Sequence, residues 1–190
     1  MKILIDCDGV VLNWLEAFEE WMKEKGYVKN NFHNDKYNLS YHYDISRKEA
    51  ALLVKEFNNS SNIGFLKPFR DAQDVLSTLG ATFTVITSLS RNKYSQYLRI
   101  RNLQNVFPDV VFDDFLFLDT GEKKTKELEK FKGSGYYWVE DKFENAIEGR
   151  NLGLKSILML HDHNKICGMA SGMHCVENWF EVRNIIRSNA

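Results

Sequence analysis

The sequence contains few cysteines and prolines and no internal repeat. Its 190 residues include three cysteines, at positions 7, 167 and 175, and two prolines. An odd number of cysteines without a repeated pair spacing argues against a disulfide framework, so we expect reduced thiols and a cytoplasmic location. A chain of this length can form one domain with a sizeable core, or such a core with a small inserted module.

The sequence also lacks an excess of charge of either sign and a long apolar segment. It has 25 basic and 26 acidic residues, so no overall field attracts it to nucleic acid or to an anionic membrane. The apolar run at residues 3–5 is too short, and its acidic flank too polar, for a signal peptide or a membrane span. We therefore expect no membrane association and no stable nucleic-acid partner. These patterns give no prediction of the oligomeric state.

Short apolar runs alternate with helical patterns along most of the chain, which predicts an α/β fold. Each apolar run indicates a buried strand, and three of them end abruptly in polar residues. The alternation predicts a three-layer, Rossmann-like core in which helices cover both faces of a parallel sheet, with ligands outside the carboxyl ends of the strands. The predicted strands lie at residues 3–5, 83–86, 110–118, 136–139 and 156–160, and the predicted helices at 71–79, 93–103, 124–131, 143–151 and 176–186.

Residues 13–66 interrupt this alternation. They contain one amphipathic helical pattern, a polar and tyrosine-rich stretch at residues 30–44, and a second helical pattern at 47–57. We interpret them as a small helical cap inserted after the first strand, with residues 1–12 and 67–190 forming the core. A cap in this position would cover the ligand crevice as a lid. The apolar face predicted for its first helix consists of Trp14, Leu15, Phe18, Trp21 and Met22.

Two carboxylates, Asp6 and Asp8, flank Cys7 at the end of the first predicted strand. The two-residue period of an extended chain places both on the same side. Paired acids are suited to binding a hard cation, or to nucleophilic and acid–base roles. The same residues also fit a strand that simply ends in a polar turn at Gly9. The pair alone leaves both interpretations open.

Three further motifs follow this pair along the sequence. Ile-Asp-Cys-Asp-Gly-Val-Val at residues 5–11 is followed by Val-Ile-Thr-Ser at 85–88, Gly-Glu-Lys-Lys-Thr at 121–125 and Trp-Val-Glu-Asp-Lys-Phe-Glu-Asn at 138–145. Together they resemble the four motifs of the haloacid dehalogenase (HAD) superfamily of phosphohydrolases, and their span covers most of the chain. The single motifs are common, whereas their joint occurrence is specific.

The resemblance implies a role for each matching residue. Asp6 would be the nucleophile that forms an aspartyl-phosphate, and Asp8 the acid that protonates the leaving oxygen and later activates water. Thr87, with help from Ser88, would hydrogen-bond the transferring phosphoryl group. Asp141 would hold Mg²⁺ together with Asp6 and the backbone carbonyl of Asp8. Dehalogenases of the same family need neither metal nor the second acid, so Asp8 and Asp141 favour phosphate chemistry.

A lysine would bridge the phosphoryl group and the nucleophile, and two adjacent residues compete for this role. We favour Lys124 over Lys123, because Leu128 lies one helical turn after Lys124 on the buried side. Either lysine could instead be a solvated surface charge. The chemistry itself requires such a cation, since a carboxylate cannot approach a phosphate dianion until their repulsion is offset.

Several neighbouring residues have alternative interpretations. Glu140 could orient a water molecule or cap the helix that begins near Lys142. Asn145 could be a polar group near the site or a structural residue. Thr87 and Ser88 could belong to the N-terminal cap of the helix at 93–103.

The late histidines and cysteines show no compact zinc-binding spacing, so we interpret their segment as a polar loop near the rim of the crevice. They are His161, His163, Cys167, His174 and Cys175.

The aromatic residues of the insert raise the question of a nucleotide substrate. Tyr37, Tyr41 and Tyr43 could stack on a base, as could Trp14 or Phe18, although helical spacing favours core positions for the last two. The insert position and the Val-Glu-Asp ending are most similar to the 5′(3′)-deoxyribonucleotidase group.

The sequence therefore predicts a Mg²⁺-dependent phosphomonoester hydrolase for a small phosphorylated metabolite, with a nucleoside 5′-monophosphate as the first substrate to test. The alternatives are a phosphomutase, a polynucleotide 3′-phosphatase, and a non-catalytic binding protein with the same fold.

Overall fold

A parallel sheet of six strands forms the centre of the computed structural model, which describes residues 1–30, 38–165 and 173–188. The spatial order is β3-β2-β1-β4-β5-β6, and every neighbouring pair is parallel. This arrangement confirms the predicted α/β class. The strands are β1 (Lys2–Ile5), β2 (Thr82–Ser88), β3 (Val111–Leu118), β4 (Tyr137–Glu140), β5 (Lys155–Met159) and β6 (His174–Val176).

Eight α-helices and two short 3₁₀ helices are described around the sheet. The α-helices are α1 (Trp14–Glu24), α2 (Leu39–Tyr43), α3 (Arg47–Asn58), α4 (Arg70–Leu76), α5 (Lys93–Val106), α6 (Thr125–Glu129), α7 (Phe143–Asn151) and α8 (Trp179–Ser188). The 3₁₀ helices are Ser61–Phe65 and Ser77–Leu79. None of the helices described here has the length and apolarity that crossing a membrane requires.

The two faces of the sheet contact separate apolar clusters, as the two-residue period of a strand requires. Ile3 and Ile5 of β1 belong to the larger cluster, which extends to Phe18 of α1 and Phe57 of α3. Leu4 belongs to the smaller cluster on the other face, together with Trp138, Leu128 and Leu154. Helices therefore cover both faces, in agreement with the predicted three layers.

The register around β1 brings the carboxyl ends of β1, β2 and β4 to the same level. Ile5 pairs with Val85 of β2 and with Val139 of β4. The chain order reverses direction between β1 and β4, which is the position where ligands bind in open α/β sheets. Because Asp6 and Glu140 follow Ile5 and Val139 directly, the register places these two carboxylates next to each other.

The segment between β1 and β2 is helical, and no strand occurs among its described residues. The sequence did not predict α2, which lies within the stretch interpreted as polar, and Leu15 is 39% exposed rather than part of the apolar face. Phe18 and Phe57 pack edge to face at 5.4 Å within the same cluster as β1. The division into a core and a cap at residues 13–66 remains a prediction.

The predicted helix at 176–186 begins too early. Residues 174–176 form β6, which pairs with β5 through Ile157 and His174, and α8 starts only at Trp179. A three-residue edge strand is too short to show a period in the sequence, so it is recognised only from its hydrogen bonds to β5.

Candidate active site

The polar ends of β1, β2 and β4 meet at one cavity of about 1030 Å³. Its lining includes Asp6, Asp8, Thr87, Lys124 and Asp141, so every residue of the predicted catalytic and metal-binding set contributes to it. Residues of α3 line the same cavity. The sheet edge and the helical segment after β1 therefore share one space.

Asp6 lies at the centre of the polar cluster and is 7% exposed. Its Oδ1 accepts a hydrogen bond from the backbone N–H of Cys7 at 2.6 Å, and its Oδ2 lies 2.6 Å from Nζ of Lys124. Burial raises the pKa of Asp6 to about 7, although the charge of Lys124 acts in the opposite direction. The carboxylate is thus oriented by two donors and shielded from solvent.

Lys124 is 2% exposed and contacts two carboxylates. Its Nζ donates to Oε2 of Glu140 at 2.8 Å in addition to its contact with Asp6. Burial alone would lower the pKa of Lys124, but the two carboxylates outweigh this effect and hold the pKa above its usual value. Lys123 is exposed, whereas Lys124 and Leu128 are both buried. The catalytic role of Lys124 remains a prediction.

Glu140 is fully buried and connects Lys124 with the start of α7. Its Oε1 accepts from the backbone N–H of Lys142 at 2.9 Å, and its Oε2 accepts from Nδ2 of Asn145 at 3.2 Å. Burial raises the pKa of Glu140. Both interpretations from sequence miss its principal contact, the ion pair with Lys124.

Asp141 completes a group of three carboxylates. Asp6, Glu140 and Asp141 each offer one oxygen, and these oxygens lie within 4.8 Å of one another. Burial and the charge of Asp6 raise the pKa of Asp141 to about 7. Asp6 and Glu140 are buried and Asp141 is half-buried, so their negative charges repel one another. Lys124 offsets part of this repulsion, and a bound cation would offset the rest. Oxygen ligands suit Mg²⁺. The residues present therefore fit the expected ion.

Asp8 contacts a residue that the sequence interpretation missed. Its carboxylate forms an ion pair with Arg99 of α5, a side chain with no exposed surface. The available signal was an arginine on the same helical face as the buried residues Ser95, Asn102 and Leu103. An arginine on a buried face requires a partner, but helical spacing does not identify that partner.

Thr87 and Ser88 end β2 beside the cluster and line the cavity. Thr87 is 1% exposed, and Oγ of Ser88 donates to the carbonyl of Glu122 at 3.0 Å. Their alternative interpretation as a helix cap is wrong. Asn92 caps α5, since its side chain accepts from the backbone N–H of Tyr94 at 2.9 Å.

Two of the late histidines reach the cavity, and those late histidines and cysteines that the structure describes belong to no group of three metal-binding side chains. His161 and His163 line the cavity and stack with ring centroids 5.7 Å apart, and Nε2 of His161 lies 2.7 Å from the carbonyl oxygen of Gly9. His174 and Cys175 belong to β6, whereas Cys167 lies outside the described residues. Within the described part of the chain, the acidic triplet is the only group of three metal-binding side chains found.

Most of the aromatic residues considered for base stacking pack against other parts of the protein. Trp14 stacks on Phe18 at 4.7 Å, and its Nε1 donates to Oδ1 of Asn58 at 2.9 Å, although it also lines the cavity. Tyr43 is buried, whereas Tyr41 is 43% exposed. Neither tyrosine lines the cavity, and Tyr37 is not among the residues described.

Comparisons of sequence give no match to a protein-family model and no significant match to a curated protein. Solved structures do match. A haloacid dehalogenase-like hydrolase from Streptococcus pneumoniae aligns with a TM-score of 0.66 and 14% identity over 95% of both chains.

Two further solved structures align over nearly their whole length. A D,D-heptose 1,7-bisphosphate phosphatase from B. bronchiseptica, complexed with magnesium and phosphate, has a TM-score of 0.60 and 10% identity over 100% of this chain and 99% of that chain. A HAD hydrolase from Bacillus subtilis, bound to magnesium, has a TM-score of 0.58 and 14% identity over 98% of each. At these identities the likeness concerns the fold, and the chain has the Rossmann-like fold of HAD hydrolases.

Proposed function

We propose that this protein is a Mg²⁺-dependent phosphomonoester hydrolase in which Asp6 attacks phosphorus. One observation carries the proposal. A buried carboxylate at the end of the central strand contacts a buried lysine and lies within 4.8 Å of two further carboxylates, at the edge of a large cavity. This arrangement supports the proposal, because phosphoryl transfer needs a nucleophile, a cation and oxygen ligands for the metal close together.

The reaction would proceed in two displacements. An oxygen of Asp6 forms a bond to phosphorus while the ester P–O bond breaks, and Asp8 gives a proton to the leaving oxygen. Water then attacks phosphorus, its proton passes to Asp8, and the aspartyl P–O bond breaks to restore Asp6. General acid–base help of this kind contributes roughly 10²–10⁴-fold to the rate.

The remaining residues would neutralise charge and hold the reacting groups. Lys124 offsets the charge of Asp6 and the phosphoryl oxygens, and Glu140 orients Lys124 through their ion pair. Thr87, with Ser88, hydrogen-bonds the phosphoryl group. Asp6, Asp141 and the backbone carbonyl of Asp8 would hold Mg²⁺, which when bound supplies further positive charge at the phosphoryl oxygens.

The cavity supports a small phosphorylated metabolite as substrate. Its lining combines apolar side chains such as Leu39 and Phe69 with the cations Arg47, Lys48 and Lys55 of α3. Positive charge in the lining suits an anionic substrate, and apolar groups suit the rest of a small organic molecule. A nucleoside 5′-monophosphate meets both requirements and is the first substrate to test.

The test is phosphate release from a panel of nucleotides, sugar phosphates and aryl phosphates, in Mg²⁺ and in EDTA. We expect Asp6→Asn to reduce release to the level of a blank without enzyme, because the amide is a poor nucleophile. Asp109→Asn, which changes an exposed aspartate, is the matched control and should retain wild-type rates. Undiminished turnover by Asp6→Asn would refute the nucleophile.

Phosphate release, analysis of the products and a DNA-binding measurement distinguish the competing functions. A phosphomutase would yield an isomer of the substrate and little free phosphate. A polynucleotide 3′-phosphatase would bind DNA ends with an affinity that falls steeply with salt. A binding protein would release no phosphate from any member of the panel.

A further inference from the structure

Arg99 connects the middle of α5 to the loop that carries Asp8. Its Nη1 contacts Oδ1 of Asp8, and its Nη2 donates to Oδ2 at 3.3 Å, so the guanidinium engages both carboxylate oxygens. Its Nη1 also donates to Sγ of Cys7 at 2.9 Å. Burial raises the pKa of the Cys7 thiol to about 12, and the thiol therefore stays neutral beside the arginine.

The burial of Arg99 is unusual for a charged residue. Its side chain has no exposed surface, whereas the side chain of Asp8 is 22% exposed and lines the cavity. Among the described residues, Asp8 is the only carboxylate within ion-pair distance of Arg99. A buried ion pair is weak evidence for a contribution to stability, because desolvation offsets the attraction. The two-oxygen contact does fix the plane of the carboxylate, which a single hydrogen bond would not do.

The backbone beside Asp8 is also held in place. The carbonyl of Cys7 accepts from the backbone N–H groups of Val11 and Leu12, each at 3.0 Å. With the backbone fixed in this way, rotation of the Asp8 side chain is the remaining freedom at this position, and Arg99 restricts it. Arg99 itself is not among the residues that line the cavity, so it can affect a substrate only indirectly, by acting on Asp8.

We propose that Arg99 is a positioning residue for the reaction: it orients the Asp8 carboxylate for proton exchange with the leaving oxygen and with the attacking water. This inference rests on the hydrolase activity proposed above. It predicts that removal of Arg99 impairs proton transfer selectively and leaves the attack by Asp6 intact.

The test compares kcat/KM for two esters, phenyl phosphate and 2,4-dinitrophenyl phosphate. Departure of phenolate needs a proton donor, whereas dinitrophenolate leaves without one. We expect Arg99→Met to lower kcat/KM for phenyl phosphate about tenfold to a hundredfold, and for dinitrophenyl phosphate less than about threefold. Asp8→Asn should show the same selectivity. The double variant should lose no more than Asp8→Asn alone, because both changes act on one group.

Three controls separate positioning from folding. Arg99→Lys, which keeps the charge but contacts one oxygen, should recover part of the phenyl phosphate activity. Arg101→Met changes an exposed arginine on the same helix and should leave both esters unaffected. Asn102→Ala removes the buried bond from Nδ2 to the carbonyl of Leu66 and should lower the free energy of unfolding without changing the ratio of the two esters.

Each other result has a definite meaning. Equal losses on both esters in Arg99→Met, or no loss on either, would overturn the positioning role while leaving the hydrolase proposal standing. If Arg99→Met does not fold, Arg99→Lys carries the comparison, and an unchanged ester ratio in that variant is the contrary outcome. Wild-type protein that releases no phosphate in Mg²⁺ from either ester or from any member of the panel above would overturn both proposals together.

Discussion

Gly9 combines an unusual backbone conformation with a close neighbour. Its φ is +77°, in the left-handed region, and a Cβ at this position would collide with the carboxylate of Asp141. Glycine therefore allows the loop after β1 to approach the end of β4 closely. The approach matters for function, because Asp141 belongs to the acidic cluster.

We predict that Gly9→Ala destabilises the protein and abolishes phosphate release together. The left-handed conformation alone costs about 1–2 kcal/mol for alanine, and displacement of Asp141 adds to that. Gly80→Ala is the matched control, since Gly80 has φ +59° and open space around it. Urea unfolding should show a loss of about 1–2 kcal/mol for Gly80→Ala with full activity. Activity retained in Gly9→Ala would show that the close approach is dispensable.

At the scale of elements, helix α7 carries the last motif and packs tightly on the sheet. Gly149 is buried in this helix, and a Cβ there would collide with the indole of Trp138 and lie 2.9 Å from Oγ of Ser156. Trp138 precedes Val139 and Glu140 in β4. The fit between α7 and β4 therefore supports the position of the acidic cluster.

Gly149→Ala should lower stability although alanine favours helices. Helix propensity alone would stabilise the variant by about 1 kcal/mol, but overpacking against Trp138 costs typically 1–3 kcal/mol. We expect a net loss in free energy of unfolding, measured by urea denaturation. Asn151→Ala, at an exposed position of the same helix, should change it by no more than about 0.5 kcal/mol. A gain in stability for Gly149→Ala would show that the packing is looser than described.

On the scale of the whole molecule, the acidic cluster couples folding to metal binding. The three clustered acids come from the ends of β1 and β4, so they meet only in the folded chain. An ion that binds the folded state alone stabilises it, by about 2.7 kcal/mol at a concentration one hundred times Kd. Without the ion, Lys124 offsets only part of the repulsion among these carboxylates, and the remaining repulsion opposes folding.

Asp141→Asn should therefore remove most of the effect of Mg²⁺ on stability. In EDTA we expect this variant to unfold at the same temperature as the wild type or higher, because a half-buried negative charge close to two other carboxylates has been removed. Added Mg²⁺ should raise the melting temperature of the wild type and leave that of Asp141→Asn nearly unchanged. Asp109→Asn, an exposed change of the same kind, should respond like the wild type. An equal response in Asp141→Asn would exclude Asp141 as a ligand.

Local patterns were sufficient for much of the fold. The alternation of apolar runs and helical periods predicted the parallel sheet with helices on both faces, because burial and periodicity are properties of neighbouring residues. The same reasoning placed Lys124 rather than Lys123 on the buried side, since Leu128 shares its helical face. Short elements such as α2 and β6 were not predicted from the sequence, because three to five residues do not establish a period.

What the sequence by itself determined is the order of the longer strands and helices and the set of polar residues at the strand ends. Tertiary structure alone decided which of these residues touch. Asp8 and Arg99 are 91 positions apart, and Lys124 reaches both Asp6 and Glu140 only once β1 and β4 are paired in register. Contacts of this kind depend on register and on helix packing across the whole chain, and no local period encodes them.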